Sequence, residues 1–319
     1  MEWTAERKKV RLAMLCMARQ CWEQGMAAQA LLETGDLEAM ELMARDCAVR
    51  QAGDGRLCVV EETPALVDPA ICVEPVLRAA QASGDEALRK AALLNIEYLR
   101  TAAPRTADGA CYQLFGGCEI WADSLGMGPH VLALGGYAAE AVALYEAVKR
   151  RLYDRETGLF RHKWDEARGA FSRPCLWGVG NGWALTGLMR MAEIFQRQAR
   201  PEADWAAREF AALYAAILPW QDESGAFHDV LNDPGTFLET EFTEMFAYSA
   251  LKMVSLGMLQ KTALESALRA RAYAASRVDA RGMIHGCAGS PTFEKEGTSA
   301  ECQAHYLMME AACEGLGLK

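Results

Sequence analysis

The sequence has little that would hold a polyanion or a membrane. Its 319 residues carry 33 Lys and Arg against 43 Asp and Glu, a net charge of −10. The positive excess that nucleic acids and anionic membranes require is missing. No stretch approaches the run of about 18 apolar residues that marks a membrane span. The N-terminal segment contains Arg7-Lys8-Lys9, and its apolar part is broken by Arg11 and Arg19. It lacks a signal-type apolar run with a small-residue cleavage site, which reads as cytoplasmic placement. No Ser/Pro-rich linker, charge block or low-complexity tract divides the chain, so one domain over 1–319 is expected.

Several chemistries lack their motifs. The 11 cysteines include no CxxC pair and read as small core residues in a reducing compartment. There is no HxH or HExxH spacing, so no metal is expected, and nothing calls for a cofactor. A GxSxG nucleophile elbow is absent. The glycine-rich stretch from Trp177 to Trp183 lacks the Lys-Ser/Thr ending of a phosphate loop. Strand signals are also scarce, limited to short pieces such as Leu57-Cys58-Val59-Val60.

Helix dominates what remains, in a chain that is 51% hydrophobic. Leu77, Ala80, Leu88, Ala91, Leu94 and Tyr98 fall near helical spacing, as do Leu188, Met191, Ile194 and Phe195. From Phe242 to Met258 one side is almost wholly apolar. A turn glycine followed by a short, partly apolar segment recurs at Gly55, Gly109, Gly158, Gly225 and Gly282, with spacings of 54, 49, 67 and 57 residues. That period suits one helix pair plus a loop. An acidic residue follows most of these glycines by 13 to 14 positions: Asp68, Asp123, Glu239 and Glu296. After Gly158 the loop leads instead to Trp177-Gly178-Val179-Gly180-Asn181-Gly182-Trp183.

Five such units plus the N-terminal helical region make six hairpins. The expected fold is all-α, an (α/α)6 barrel with Asp68, Asp123, Trp183, Glu239 and Glu296 near one mouth. An open solenoid would share the same local signals. Carboxylates at helix starts can also serve as caps, a reading kept for Glu239 and Glu296.

Polar and aromatic residues gather after the turn glycines. In Trp121-Ala122-Asp123-Ser124, burial beside tryptophan would raise the Asp123 pKa and make it a proton donor near neutral pH. Phe160-Arg161-His162-Lys163-Trp164-Asp165 mixes a proton carrier, cations and a stacking ring. In the Trp177–Trp183 stretch the glycines beside Asn181 allow close backbone approach, and tryptophan is a platform for sugar rings. Phe227-His228-Asp229-Val230 repeats the apolar–His theme. His162 and His228 stand in equivalent loops, where site residues concentrate; His130, His285 and His305 read as core or surface residues.

Taken in order, these stretches resemble glycoside hydrolase family 105, the unsaturated glucuronyl and rhamnogalacturonyl hydrolases, from about Pro64 to Ala311. Val67-Asp68, Ile120-Trp121-Ala122-Asp123-Ser124-Leu125, Gly158 to Asp165, Trp177 to Trp183, Phe227 to Pro234 and Glu296 to Glu301 carry the match. The resemblance implies an (α/α)6 barrel. It implies as substrate a small oligosaccharide left by a polysaccharide lyase, with a 4,5-unsaturated uronic acid at the non-reducing end. It implies hydration of a vinyl ether, with Asp123 as general acid and base and Asp68 as a second aspartate near the site. His162 and Trp183 match substrate-contacting positions, and Trp177, Asn181, His228, Trp121 and Trp164 complete the expected binding set. Many members read Trp-Gly-Arg-Gly-Asn-Gly-Trp; Val179 replaces that arginine here, so Arg161, Lys163 or Arg173 would supply the cation. Two other readings remain: a sugar epimerase using His162 and His228, and a non-catalytic carbohydrate-binding toroid.

Overall fold

A computed structural model describes residues 1–60, 63–289 and 293–318. The helices are α1 (Ala5–Met17), α2 (Cys21–Thr34), α3 (Leu37–Val49), α4 (Val73–Ser83), α5 (Glu86–Glu97), α6 (Ser124–Met127), α7 (Pro129–Leu134), α8 (Ala138–Leu152), α9 (Gly178–Arg197), α10 (Glu202–Ile217), α11 (Thr240–Ser255), α12 (Ala263–Ser276) and α13 (Ala300–Gly315). The expected apolar periodicities fall on α4, α5, α9 and α11.

Six helical segments form an inner ring: α2, α4, the α6–α7 pair, α9, α11 and α13, with α13 packing back against α2. The outer layer is α3, α5, α8, α10 and α12, each following its inner partner, and α1, which packs on α13. The sixth hairpin is thus assembled from the first and last helices, and the ring is closed. Inner helices lie between the ring's interior and the outer layer and are buried on most sides. Helix α11 shows this: every residue from Thr240 to Leu251 is buried. Among the described residues no helix is long and apolar enough to cross a membrane.

All five repeat glycines adopt positive φ, from 75° at Gly158 to 103° at Gly55, the region that glycine enters without strain. Most of these turns press on the next outer helix. A Cβ at Gly282 would lie 2.5 Å from the Lys9 carbonyl carbon on α1, so the outer ring is continuous through the joined ends.

Strands are few and lie in the loops. β1 (Glu119–Trp121), β2 (Lys163–Asp165) and β3 (Ala170–Arg173) form an antiparallel sheet, and β4 (Phe227–His228) pairs with β5 (Leu238–Glu239), β6 (Cys287–Ala288) with β7 (Glu296–Gly297). Leu57–Val60, which reads as a strand piece in the sequence, is instead a bend, with Cys58 at φ +52°. The cysteines also depart from a uniform set of core thiols: Cys287 and Cys302 form a disulfide, while nine are free.

Candidate active site

The three-stranded sheet brings two distant sequence clusters together. Trp121 on β1 pairs with Lys163 on β2, and the Ala122 N–H donates to the His162 carbonyl at 2.9 Å. Antiparallel register therefore sets Asp123 beside His162. Asp123 leads directly into α6, which is pressed onto α9: a Cβ at Gly187 would lie 2.1 Å from the Leu125 oxygen.

These residues open on a cavity of about 420 Å³, large enough for a sugar ring or two. Asp68, Asp123, His162, Trp121, Trp177 and Trp183 all line it. So do Lys163, Arg173 and Val179. The His162 ring stacks on Trp177 at 4.3 Å between centroids and meets Trp121 edge-on at 6.0 Å. Its Nε2 lies 3.5 Å from Asp123 Oδ2. Trp177 is itself fixed by its indole N–H, which donates to Asp229 Oδ1 at 3.0 Å.

Asp68 opens a buried 3₁₀ turn (Asp68–Cys72), with Pro69 behind it. The Gln113 amide donates to Asp68 Oδ1, while its own oxygen accepts from the Ser124 hydroxyl at 2.8 Å. Gln113 thus ties the Asp68 turn to the start of α6.

Four largely buried carboxyl groups line the cavity, Asp68, Asp123, Glu241 and Glu301, and their environments divide them. Burial, reinforced by the charge of Asp123, pushes the Asp68 pKa up to about 7. Burial lifts Glu241 to about 8, although the Ser299 hydroxyl bonds to it, and raises Glu301 as well. Asp123 goes the other way. Burial works against its charge, but the facing His162 and nearby Lys163 outweigh it and hold its pKa below the usual aspartate value. The expectation of a raised pKa at Asp123 is therefore corrected, and the elevation falls on Asp68. Burial also keeps the His162 pKa below that of an ordinary histidine. Of these four, Asp123 is the one held in its charged form near neutral pH.

Two cations line the cavity with it. Lys163 Nζ lies 3.4 Å above the Trp121 ring, and the Arg173 guanidinium 5.5 Å from the Trp177 ring. Among the described residues neither forms an ion pair. Arg161, by contrast, is engaged by Asp154 at 3.1 Å and the Pro174 carbonyl at 3.0 Å, outside the lining.

Three expected binding residues are not among the lining residues. Trp164 follows Lys163 on β2, and alternation of strand side chains turns it to the other face, against Phe171 and Glu166. Asn181 is a buried clamp: its amide donates to the Phe160 and Trp177 carbonyls, both at 2.9 Å, and its oxygen accepts from the Phe160 N–H at 2.8 Å. His228 Nδ1 bonds the Thr236 carbonyl at 2.7 Å. The His162–His228 pair required by an epimerase is not assembled at the cavity.

Glu239 and Glu296 also stand apart from it. Glu239 caps α11 by accepting from the Phe242 N–H, and accepts from the Ala288 N–H at 2.8 Å. Glu296 is exposed on β7, 3.4 Å from Arg277. Their places are taken by Glu241 and Glu301, which the sequence reading missed. A positional signal marks both. Counting from the capping residue, Trp22, Val179, Glu241 and Glu301 are each the second residue of an inner helix, and all four line the cavity.

Fold and site together define a closed helical toroid with a cavity lined by indole faces, carboxyl groups and two cations. The chain belongs to Glycosyl Hydrolase Family 88, whose sequence profile matches residues 2–312. The unsaturated rhamnogalacturonyl hydrolase YesR of Bacillus subtilis (strain 168) is 26% identical over 201 residues, covering 59% of this chain and 57% of that protein. Matches to the curated relatives span between 52% and 57% of their lengths. A family 105 glycoside hydrolase of C. acetobutylicum superposes with a TM-score of 0.83 at 17% identity, covering 99% of this chain and 100% of that one. A family 88 glycosyl hydrolase from Bacteroides vulgatus gives 0.75 at 17% identity, covering 98% and 97%. These solved structures share the fold.

Proposed function

We propose that this chain hydrates the double bond of a 4,5-unsaturated uronic acid at the non-reducing end of a small lyase-generated oligosaccharide. The observation that carries this reading is the Asp68–Asp123 pair: two carboxyl groups in one tryptophan-lined cavity, one pushed to about 7 and the other held low. Environments that drive two carboxyls apart define an acid and a base. Family membership and the likeness to YesR support the substrate class.

In the free site Asp68 is the member of the pair that takes up a proton as pH falls through about 7, while Asp123 stays ionised. A bound uronate brings its own carboxylate to Lys163 and Arg173. Partial neutralisation of Lys163 removes part of what holds Asp123 low, and the added negative charge raises its proton affinity. The proton then passes from Asp68 to Asp123, which delivers it to carbon 4. Water adds its oxygen to carbon 5 and returns a proton to the carboxylate. The resulting hemiketal opens and releases the remaining sugar as an alcohol, with one water consumed overall. Lys163 and Arg173 replace the cation missing at Val179. Nine free thiols against one disulfide suit a reducing compartment, and we place the reaction in the cytoplasm.

The test is a panel of lyase products followed by loss of the ultraviolet absorbance of the conjugated double bond. At least one member should be consumed, and Asp123→Asn should slow the loss by about 10²–10⁴-fold while retaining the fold. Turnover by Asp123→Asn near the wild-type rate would remove Asp123 from the chemistry. Binding without turnover across the panel would favour a non-catalytic toroid.

A further inference from the structure

Outside the cavity, three cysteines converge. Cys47 lies in the last turn of α3, Cys58 in the loop that follows, and Cys72 at the end of the turn that Asp68 begins. All are fully buried, and their sulfurs lie within 4.8 Å of one another. Cysteines that merely fill a core as small apolar residues need not point their thiols at one another, yet three separate chain segments do so here.

The backbone at Cys58 is strained to achieve this. Its φ of +52° lies in the left-handed region, which residues with a Cβ seldom enter. Two hydrogen bonds hold it there. The Cys58 N–H donates to the Cys47 carbonyl at 2.9 Å, and the Val59 N–H to the Arg50 carbonyl at 2.9 Å. The loop is folded back on the end of α3 with the Cys58 thiol inside. The Cys21 carbonyl stands beside the group, 3.4 Å from Cys72 Sγ.

We propose that Cys47, Cys58 and Cys72 bind one zinc ion, as a structural site that fastens α3 and its loop to the turn carrying Asp68. Thiolates around zinc, at about 2.3 Å from the metal, lie about 3.8 Å from one another, so the sulfurs need close by at most about 1 Å. The Cys21 carbonyl, which accepts from Cys72 Sγ at 3.4 Å, or a water would supply the fourth donor. A soft ion suits an all-sulfur donor set. Charge selects zinc over monovalent copper: three thiolates leave one net negative charge with zinc and two with copper, and burial penalises the larger residue. Binding deprotonates the three thiols and releases three protons to solvent. The site is separate from the proposed chemistry and stands whether or not a sugar is turned over.

The experiment is metal analysis of the full chain, expressed with zinc and purified without chelator. One zinc per chain is expected, released when a mercurial titrates the thiols. Cys47→Ser, Cys58→Ser and Cys72→Ser should each hold less than about a tenth of an equivalent, because a structural site is lost with a ligand. Cys16→Ser, on the exposed face of α1, should keep the full equivalent. If the cluster variants do not fold, cobalt titration of the metal-free wild-type chain decides. Thiolate-to-cobalt charge-transfer bands saturating at one equivalent support the site. Zinc-free protein that shows no such bands, or retention of zinc by folded cluster variants, overturns it.

Discussion

Asp123 and Asp68 respond to the same cavity in opposite ways because only Asp123 faces His162 and Lys163. On the proposed reading Asp123→Asn lowers kcat/KM by about 10²–10⁴-fold, the usual worth of a general acid–base group, measured on a substrate found in the panel. The Asp68 pKa makes a prediction that needs no substrate. Its folded value, about 7, lies above the ordinary 3.8 of an aspartate. The protonated group's contribution to stability is therefore present below the unfolded value and lost as pH rises through about 7. The melting temperature of Asp68→Asn relative to wild type should rise between pH 5 and pH 8, and a difference that stays flat would place the proton elsewhere. At the cavity rim, Arg173→Gln should raise KM about tenfold or more with kcat little changed, the scale of one hydrogen bond to a charged group. Arg161→Gln, already engaged by Asp154, should leave KM near wild type. Sequence order made Asp68, Asp123, His162 and the tryptophans at 121, 177 and 183 legible, because each sits where a repeat turns inward. Trp164 and Asn181 were misplaced for a physical reason. Local composition does not reveal which face of a three-residue strand looks inward, nor that an amide is consumed by backbone.

Four inner helices, α2, α9, α11 and α13, present the second residue after the cap to the cavity, and at α11 and α13 the cap itself, Glu239 or Ser299, is used up by the helix end. This explains why the carboxylate rhythm of the sequence found Glu239 but not Glu241. The spacing from the turn glycine located the helix start, where a carboxylate satisfies free N–H groups. The functional side chain comes two residues on. At α13 the rhythm landed on Glu296, in the strand before the helix; Ser299 is the cap, and the site residue is Glu301. The turn glycines themselves were legible because a positive φ leaves a residue-type signature. What sequence could not give is the space around them, and this separates two otherwise equivalent substitutions. Gly109→Ala meets no neighbour within 4 Å at φ +100°, whereas Gly282→Ala meets α1 at 2.5 Å at φ +87°. Both incur backbone strain of about 1–3 kcal/mol. Gly282→Ala must also push α1 off the turn, so its melting temperature should fall clearly below that of Gly109→Ala in parallel thermal melts. Equal losses would mean that the turn does not bear on α1.

At the scale of the whole molecule, the distinction between a ring and an open solenoid rests on the two ends of the chain meeting: α13 packs on α2 in the inner ring and on α1 in the outer layer. The five internal repeats look the same locally in either architecture, which is why closure could be expected but not read from the sequence. The junction is ionic at its heart. Arg7 on α1 bonds both Glu310 and Glu314 on α13, and Arg271 on α12 reaches Glu310 from the other side at 2.6 Å. Arg7 and Glu310 are 8% and 3% exposed, so solvent cannot replace a lost partner. Removing one member of a buried pair strands the other charge, at a cost of about 3–5 kcal/mol. Because Arg271 stays on Glu310, Arg7→Met belongs at the low end, about 3 kcal/mol by the same comparison. Arg45, equally an arginine between two carboxylates but on the outer surface beside Glu41 and Asp85, serves as the control, since exposed pairs contribute little. Arg45→Met should melt near wild type. The location of the damage is the sharper readout. In a closed ring, loosening α1 exposes the outer face of α13, and α13 packs on both α2 and α11. Hydrogen exchange in Arg7→Met should therefore rise across α13 and the facing side of α2, at opposite ends of the chain, while α8 and α10 across the ring stay protected. Faster exchange confined to α1 would mean that the ring holds without its sixth outer helix.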